Sequence, residues 1–477
     1  MNLALVAPIL LPLATALLIA LTGRQALLRD GLSLTGGLLT AIAAWRLVDG
    51  AHWQIVDFGA GLTFTLHAEP LGLLFALVAG SLWPVTNLYA IGYLRHSKDP
   101  NQTRFFICLA LSIAAAQLIA LSGNLVTLFV GYEILTLATW PLVTHWGTAD
   151  ARRGGRIYLG YLLPTSVALL LPAIIVVQQL AGTTEFRPGG LLAGSGLGPL
   201  GLGLLFALFL FGIGKAALMP VHRWLPAAMV APAPVSALLH AVAVVKAGVF
   251  CVLKVGIYIF GLDQLSHTGA TQPMLYLAAF SLIAASLVAL YADNLKHRLA
   301  YSTVSQLAYV TLAASLASSL AAYGGALQIV MHACGKITLF FCAGAIYLAA
   351  HATRVSELDG LGRRMPLTFI AFTLGALSII GLPPLGGSWT KWWLLLGAIE
   401  AEQRWVIAVL GASTLLNIAY LLPIPLRAFF AGEGGWRWRE APWTCVLPLC
   451  LTALASLALF FWVPLAEPLA RAIGVNP

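Results

Sequence analysis

Five lysines and one glutamate lie inside long hydrophobic stretches of this chain. They are Lys215, Lys246, Lys254, Lys336, Lys391 and Glu133. A charged side chain in the core of a bilayer costs at least about 2.5–3.5 kcal/mol, so such residues are rarely present without a function. Ionisable groups that face the interior of a helix bundle are typical of a path for protons or ions. These six residues are therefore the first candidates for a functional site.

The elements that must position them are membrane helices. The chain has 477 residues, of which 60% are hydrophobic and 9% charged, and its mean hydropathy is +0.91. Its apolar runs last about 20 residues, which is enough to cross a hydrocarbon core of about 30 Å as a helix. The run 200–210 does not alternate between apolar and polar residues, as a membrane β-strand would. The sequence therefore predicts an all-α polytopic membrane protein.

We predict about 14 transmembrane helices. The expected spans are 3–22, 27–48, 70–94, 105–122, 124–146, 157–181, 200–220, 233–260, 273–292, 299–320, 323–350, 366–399, 405–430 and 444–464. The net charge is +9, and most of the basic residues stand in short loops that follow odd-numbered spans. Basic loops face the cytoplasm, so both termini are expected on the outer, periplasmic side of a bacterial inner membrane. The first segment lacks a basic leading region and is expected to be a span, not a cleaved signal.

Two spans carry a predicted break beside a lysine. The seventh meets Pro220 shortly after Lys215, and the twelfth contains Pro383 and Pro384 shortly before Lys391. Proline removes a backbone donor and clashes with the preceding turn, so each helix should be interrupted. Paired interruptions in two halves of a transporter indicate inverted repeats with the site between them.

The domain organisation follows from these paired breaks. We expect spans 4–8 (105–260) and spans 9–13 (273–430) to form two inverted repeats. Residues 1–123 hold helices 1–4, of which helix 4 (105–122) begins the first repeat. Residues 444–477 form helix 14 and a tail.

Glu133 is expected to form an ion pair with Lys215, because an unpaired carboxylate in mid-span would be very costly. A static ion pair that only holds two helices together is the alternative. Lys254 is nearer the end of its span and could extend its amine towards the interface.

Lys246, Lys336 and Lys391 are expected to be neutral in part or hydrated, and to pass protons stepwise with His240 and His332. For each histidine, a structural hydrogen-bonded role is the alternative. His222 follows the seventh-span break and is a candidate for the proton entrance.

No sequence pattern indicates a metal site, a bound cofactor or a catalytic site. The six cysteines form no CxxC pair, so neither an iron–sulfur cluster nor a zinc site is indicated, and no phosphate loop, nucleophile triad or metal-ligand cluster is present. We therefore expect no metal, no cofactor and no catalytic residue in this chain. Whether it is part of an enzyme is left open.

Several motifs resemble one family. They are Gly214-Lys215-Ala216-Ala217-Leu218-Met219-Pro220-Val221-His222-Arg223-Trp224-Leu225-Pro226, Ala231 to His240, Asp293 to Thr303, His332-Ala333-Cys334-Gly335-Lys336 and Gly381-Leu382-Pro383-Pro384 with Lys391. The chain resembles, over essentially its whole length, the antiporter-like subunits of respiratory complex I, membrane-bound hydrogenases and Mrp-type Na⁺/H⁺ antiporters. The run Lys336 to Tyr347 is most similar to the Mrp D-type subunit. The sequence departs from the family at Gln306-Leu307-Ala308 and after Pro226.

The resemblance implies proton translocation along a buried axis. Glu133 and Lys215 would form one site, Lys246 with His240 the next, His332 with Lys336 the third, and Lys391 the terminal site near the outer exit. Membrane subunits of a multisubunit assembly would be the partners, with protons and, through the complex, Na⁺ as the transported ions.

Three functions are consistent with these features. The first is a proton-conducting subunit of a Mrp-type cation/proton antiporter. The second is a proton-pumping subunit of a complex I-like oxidoreductase or membrane hydrogenase, in which partners would do the redox chemistry. The third is a scaffold that no longer conducts, against which the retained charges argue.

Overall fold

The computed structural model describes residues 3–23, 25–59, 61–432, 438–462 and 467–472. The longer helices are α1 (Leu3–Thr22), α2 (Ala26–Trp45), α3 (Pro70–His96), α4 (Gln102–Ala120), α5 (Leu125–Val143), α6 (Ala149–Ala181), α7 (Pro199–Gly212), α8 (Ala233–Phe260), α9 (Gln272–Tyr291), α10 (Leu295–Leu316), α11 (Ser319–Ala350), α12 (Pro366–Ile380), α13 (Gly387–Glu400), α14 (Trp405–Phe430) and α15 (Trp443–Phe461). Short helices cover Gly214–Ala216, Val221–Arg223, Trp224–Ala227, Ala228–Val230, Leu262–Thr268, Val355–Glu357, Leu361–Arg363 and Glu467–Ala472.

The predicted helical membrane fold is confirmed. Within the described residues, ten helices are long and apolar enough to cross a membrane, and α7 and α12 are shorter apolar helices. Each of the fourteen expected segments coincides with a helix or, for 366–399, with the pair α12 and α13. The count of fourteen spans, the repeat boundaries and the orientation stay predictions. Two of the loop arginines, Arg24 and Arg437, and the end of the predicted C-terminal segment lie outside the described residues.

Both predicted helix breaks are present. Helix α7 ends at Gly212, and the chain continues through short turns in which Ala217 has a positive φ of 52°. Helix α12 ends at Ile380, and the residue that follows it, Gly381, has a φ of 83°. Helix α13 begins at Gly387. Backbone that leaves the helix at membrane depth needs partners inside the protein. Each break therefore creates a place where polar groups must meet.

A β-hairpin, which the sequence analysis did not predict, covers one end of the bundle. Strands β1 (His52–Asp57) and β2 (Thr63–His67) pair antiparallel. Asn124, the N-cap of α5, donates from Nδ2 to the Thr63 carbonyl oxygen at 2.8 Å and to Thr65 Oγ1 at 2.7 Å. The hairpin is therefore bound to the helix ends beneath it.

Helices α8 and α11 form the centre of the molecule. In the most hydrophobic 18-residue stretch of each helix, all residues of α8 and 94% of those of α11 are buried. In the peripheral helices α6 and α14, only 33% of the corresponding residues are buried. Side chains on α8 and α11 therefore face other helices and not lipid. Four of the six ionisable residues singled out above are on these two helices or pack directly against them.

Candidate functional site: a row of buried lysines

Lys215 lies in the turn that follows α7 and is completely buried. Its Nζ donates to the Tyr132 carbonyl oxygen at 2.8 Å and to Thr136 Oγ1 at 2.6 Å, and it lies 3.1 Å from the centroid of the Tyr132 ring. Its backbone N–H donates to Tyr132 Oη at 3.0 Å. Trp224 Nε1 donates to the Gly214 carbonyl oxygen at 3.0 Å and so ties the break together. The broken helix thus presents Lys215 to one face of α5.

The direct ion pair predicted between Lys215 and Glu133 is wrong. Over the described residues, no carboxylate oxygen lies within salt-bridge distance of Lys215. Tyr132 and Thr136 are four residues apart on one helical face, whereas Glu133 is rotated by about 100° from Tyr132. Glu133 is half-buried, and its Oε1 has no protein hydrogen-bond partner. The glutamate is thus a close neighbour of the site without contacting the amine.

Helix α8 approaches Lys215 at a glycine. A Cβ atom on Gly248 would lie 2.3 Å from the Lys215 carbonyl carbon and 2.3 Å from the Ala216 nitrogen. Such distances do not occur between real atoms, so only glycine permits this contact. Gly248 follows Lys246 by two residues, and the contact therefore places the broken helix beside Lys246. We refer to Lys215, Lys246, Lys336 and Lys391 together as the row.

Lys246 and His332 form the next pair. Lys246 Nζ lies 2.6 Å from His332 Nδ1, which joins α8 to α11. The sequence had placed His240 beside Lys246 and His332 beside Lys336. His240 instead belongs to a π-helical turn, Leu238–Val242, and its ring packs on Phe340 with centroids 4.6 Å apart. The predicted pairing of His240 with Lys246 is therefore corrected, since His332 on α11 takes that place.

His240 remains unusual among the buried residues. It is completely buried, and neither ring nitrogen has a protein hydrogen-bond partner. The Nε2 atom of His332 likewise has none. A buried polar atom that makes no hydrogen bond costs about 1–3 kcal/mol. Both rings therefore keep nitrogens that are free to bind a proton or water.

Lys336 lies one turn beyond His332 on α11 but binds another helix. Its Nζ donates to Ser302 Oγ at 2.7 Å and to the Leu299 carbonyl oxygen at 3.2 Å, both on α10. Ser302 Oγ also accepts a hydrogen bond from Tyr420 Oη at 2.9 Å. Helix α11 thus connects Lys246 on α8 with polar groups on α10 and α14.

Lys391 lies at the second break. Its Nζ donates to the Ile380 carbonyl oxygen and, at 2.7 Å, to Thr414 Oγ1. Ile380 is the last residue of α12, and its carbonyl oxygen is one of those left without an intrahelical partner at a helix end. A cation at that end is also favoured by the helix dipole. The break therefore positions the lysine, as the break after α7 positions Lys215.

A narrow polar gap joins His332 to Lys391. Its lining contains Gln306, Gln328, His332, Ser378, Thr390 and Lys391. Gln328 Nε2 donates to Gln306 Oε1 at 2.8 Å, but Gln306 Nε2, Ser378 Oγ and Thr390 Oγ1 have no protein partner. The gap thus carries a series of free donors and acceptors between two residues of the row.

The remaining predicted residues lie apart from the row. Lys254 does not extend to the interface, since it is completely buried and forms a salt bridge of 3.1 Å with Glu69. His222 is half-buried, with its ring packed edge-on against Tyr301 at 6.0 Å between centroids. Its role as a proton entrance stays a prediction.

The acceptors Tyr132, Thr136, Ser302 and Thr414 could not be predicted from the sequence, because no charge pattern distinguishes them. Glu69 was also not predicted, although an acid directly before Pro70 is a recognisable helix-start signal. Within the described residues, no group of three or more His, Cys, Asp or Glu side chains could hold a metal ion.

The comparisons with known proteins agree with this architecture. Residues 122–417 match the family model of the NADH:quinone oxidoreductase/Mrp antiporter transmembrane region. Subunit L of the NADH-quinone oxidoreductase of Mycobacterium tuberculosis is 29% identical over 422 residues, which are 85% of this chain and 65% of that protein. Subunit N of the corresponding enzyme of Desulforudis audaxviator is 32% identical over 441 residues, 89% of this chain and 85% of that protein.

Two solved structures share the fold. One is from the membrane-bound sulfane sulfur reductase, an archaeal respiratory membrane complex, with a TM-score of 0.85 and 23% identity over 100% of this chain and 98% of that one. The other is from the Mrp complex of Dietzia sp. DQ12-45-1b, with a TM-score of 0.82 and 25% identity over 100% of this chain and 52% of that one.

The chain is a multi-pass membrane protein of the antiporter-like class. It belongs to the NADH:quinone oxidoreductase/Mrp antiporter family, and the resemblance stated from its motifs is confirmed. It spans 65% of the length of subunit L and 85% of the length of subunit N.

Proposed function

We propose that this protein is a proton-conducting subunit, of the D type, in a Mrp-type monovalent cation/proton antiporter. One observation carries the proposal. Three buried lysines, Lys215, Lys246 and Lys336, and the half-buried Lys391 bind only uncharged oxygen and nitrogen acceptors among the described residues. A fixed ammonium charge without a counter-charge is costly inside a protein. Lysines in this setting are suited to exchanging protons instead of holding them.

The contacts give these lysines an order. Lys215 lies against α8 at Gly248, and Lys246 on the same helix contacts His332 on α11. Lys336 follows His332 by one turn, and the polar gap leads from His332 to Lys391. A proton that arrives at one site repels the proton at the next through a medium of low dielectric constant. The row therefore suits stepwise transfer along the bundle.

Glu133 has an electrostatic role in this proposal. It is a half-buried acidic residue on α5, next in sequence to Tyr132, which binds Lys215, and it makes no direct salt bridge with that lysine. His240, with two free ring nitrogens, is the relay between the α8–α11 pair and the cytoplasmic side, and His222 is the entrance. Lys391, at the second break, is the terminal site towards the outer face.

The surroundings of the subunit follow from the same proposal. The chain would be bound to other membrane subunits of the antiporter in a bacterial inner membrane, with both termini outside and the two repeats as bounded above. The likeness to the Mrp complex structure supports the kind of complex, and the D-type run after Lys336 supports the subunit type. Protons pass through this chain, and Na⁺ crosses elsewhere in the complex.

The second candidate is a proton-pumping subunit of a complex I-like enzyme or membrane hydrogenase. It is favoured by the likeness to subunit N, because the match covers 85% of that protein. In this case the redox centres belong to partner subunits.

The experiment that tests the function uses everted membrane vesicles that contain the assembled complex. Lys215→Ala and Glu133→Ala are compared with the wild type and with Lys98→Ala at an exposed lysine outside the row. We expect cation-driven proton movement to be lost in Lys215→Ala, reduced in Glu133→Ala and kept in Lys98→Ala. Full exchange in both row variants would sink the proposal.

Gentle purification through a tag on this subunit separates the two candidates. Small hydrophobic partners without cofactors indicate the antiporter. Partners with iron–sulfur, nickel or flavin centres indicate the redox enzyme.

A further inference from the structure

Lys254 differs from the other four lysines because it has a carboxylate partner. Its Nζ lies 3.1 Å from Glu69 Oε1, and the two side chains are 0% and 5% exposed. The pair joins the end of α8 to the residue that precedes α3. Neither the row of lysines nor the proposed exit at Lys391 uses it.

Both partners make further hydrogen bonds with neighbouring groups. Glu69 caps α3, since its Oε1 accepts from Gly72 N and its Oε2 from Leu71 N, each at 2.8 Å. Tyr258 Oη donates to Glu69 Oε2 at 2.9 Å, and Lys254 Nζ donates to the Ser122 carbonyl oxygen at 2.7 Å. The site is thus built around the two charges and holds them in one geometry.

The hairpin connects this pair to the face assigned to the outside. His67 on β2 precedes Glu69 by two residues, and its ring meets the exposed His52 ring edge-on, with centroids 5.8 Å apart. Burial lowers the pKa of His67, while the nearby Glu69 opposes that shift. Once Glu69 is protonated, the neutral His67 imidazole two residues before it can accept that proton.

The ionisable groups that face the pair come from four elements. They are Asp49 in the loop before β1, His52 on β1, His67 on β2, and Cys251 and Tyr258 on α8. Only His52 and Asp49 among them lie at the exposed surface.

On its inner side, the pair adjoins the first lysine of the row. Gly248, where the Lys215 backbone touches α8, precedes Lys254 by six residues, which is about 9 Å along a helix. Cys251 lies between them and is within electrostatic range of both amines. Lys254 is therefore the next basic group on α8 from Lys215 towards the outer face.

We propose that Lys254 and Glu69 form a second outward proton-transfer site, through which the first half of the row exchanges protons with the outer aqueous phase. The proposal rests on the proton-conducting function proposed above. It gives the subunit an outer opening at the hairpin in addition to the terminal site at Lys391.

Each step conserves protons and charge. Lys254 passes a proton from Nζ to the Glu69 carboxylate, which leaves a neutral amine and a neutral acid. Glu69 then passes the proton to the His67 ring, which becomes an imidazolium while the carboxylate is restored. His67 releases the proton to water beside His52, and the Lys254 amine takes up a new proton from the side of Lys215.

The decisive variant is Lys254→Arg in the assembled complex. Arginine keeps the positive charge and can keep a salt bridge with Glu69, but its guanidinium does not release a proton in proteins. We expect proton movement to fall by about 10²-fold or more, within the range of general acid–base contributions. A complex that assembles and conducts normally with Lys254→Arg overturns the proposal, since the pair is then only a clamp.

A second set removes both charges, because Lys254→Arg could prevent folding. Replacing a buried ion pair by neutral groups of similar shape often preserves stability, so Glu69→Gln with Lys254→Met should assemble. We expect proton movement in this double variant to be as slow as in Glu69→Gln or Lys254→Met alone. Recovery of flux in the double variant would show a structural pair and contradict the proposal.

Controls separate this proposal from the general function. Lys98→Arg makes the same exchange at an exposed lysine and is expected to leave flux unchanged. Lys215→Ala serves as the reference for the row in the same vesicles. If Lys215→Ala also conducts normally, the proposed function fails. If Lys215→Ala is inactive and Lys254→Arg is active, only the outer site fails.

Discussion

Lys246 Nζ on α8 lies 2.6 Å from His332 Nδ1 on α11, and this contact links the two most deeply buried helices. A lysine and a histidine at this distance share one hydrogen bond, so the amine and the ring cannot both be protonated without strong repulsion. The contact therefore couples the protonation of one helix to that of the other.

This coupling can be measured with single and double variants. His332→Gln and Lys246→Met should each reduce proton movement by about 10²-fold, the lower range of acid–base contributions. Because both remove the same transfer step, the double variant should be no slower than the slower single one. Multiplied effects in vesicles with equal amounts of complex would show that the two residues act separately.

Replacing Lys215 by a cation that does not release its proton tests the role of that lysine. Lys215→Arg keeps a cation for the Tyr132 carbonyl oxygen and Thr136 Oγ1, but arginine stays protonated. We expect flux to be lost while the complex still assembles. Thr136→Val removes one acceptor at 2.6 Å and should slow transfer less than Lys215→Arg does. Normal flux with arginine would mean that Lys215 only stabilises the break.

The close approach at Gly248 predicts an effect on stability. Gly248→Ala would place a Cβ atom 2.3 Å from backbone atoms of Lys215 and Ala216, which forces α8 away from the broken helix. Overpacking of this kind costs about 1–3 kcal/mol. Thermal unfolding of the purified complex should show a lower midpoint. Membrane vesicles that contain the same variant should show a lower proton flux.

Gly160→Ala is the matched control, because no atom lies within 4 Å of the added Cβ. In mid-helix, alanine is about 0.5–1 kcal/mol more favourable than glycine, so this variant should be neutral or slightly stabilised. Equal behaviour of the two variants would contradict the packing argument.

The second break makes Lys391 a partner for a helix end. Lys391→Leu would leave the Ile380 carbonyl oxygen without its donor, at a cost of about 1–3 kcal/mol for a buried polar group. We therefore expect a less stable complex as well as loss of flux. Unchanged flux together with higher stability would instead support a non-conducting scaffold.

A contact outside the membrane predicts how stability depends on pH. Asp293 accepts from Ser356 N at 3.0 Å and from Ser356 Oγ at 2.8 Å, and the Ser356 hydroxyl holds the pKa of the carboxyl below its usual value. A lowered folded-state pKa contributes stability above the unfolded pKa of about 3.9, and that stability is lost as the pH falls through the folded-state pKa.

Asp293→Asn should therefore reduce the thermal midpoint slightly and equally between pH 5 and 8, without altering the pH profile of proton movement. Ser356→Ala should give the same reduction. A shifted transport profile in either variant would place Asp293 on the proton path instead.

Much of the fold was determined by local sequence. Apolar runs of span length predicted the helices, since only helices satisfy every backbone polar group within one segment in lipid. Pro220 and the Pro383–Pro384 pair predicted that both helices are interrupted, because proline cannot continue a helix. Helix α7, however, already ends at Gly212, eight residues before Pro220 and before Lys215. The burial of Lys215 and Lys336 followed from their positions inside such runs, and family motifs around them indicated the class of protein.

Which groups meet was decided by tertiary structure. Lys215 binds Tyr132 and Thr136 instead of Glu133, because one residue changes the helical face by about 100°. His332, and not His240, lies beside Lys246, because residues six apart on one helix are rotated by about 120° from each other, whereas His332 reaches Lys246 from α11.

The Lys254–Glu69 pair required a hairpin and three helix ends to meet at one depth. Hydropathy and proline breaks are properties of one segment, whereas a hydrogen-bond partner depends on the rotation and depth of two packed helices. The sequence by itself therefore specified where the ionisable residues lie in their spans, and only the packed bundle specified their order and their partners.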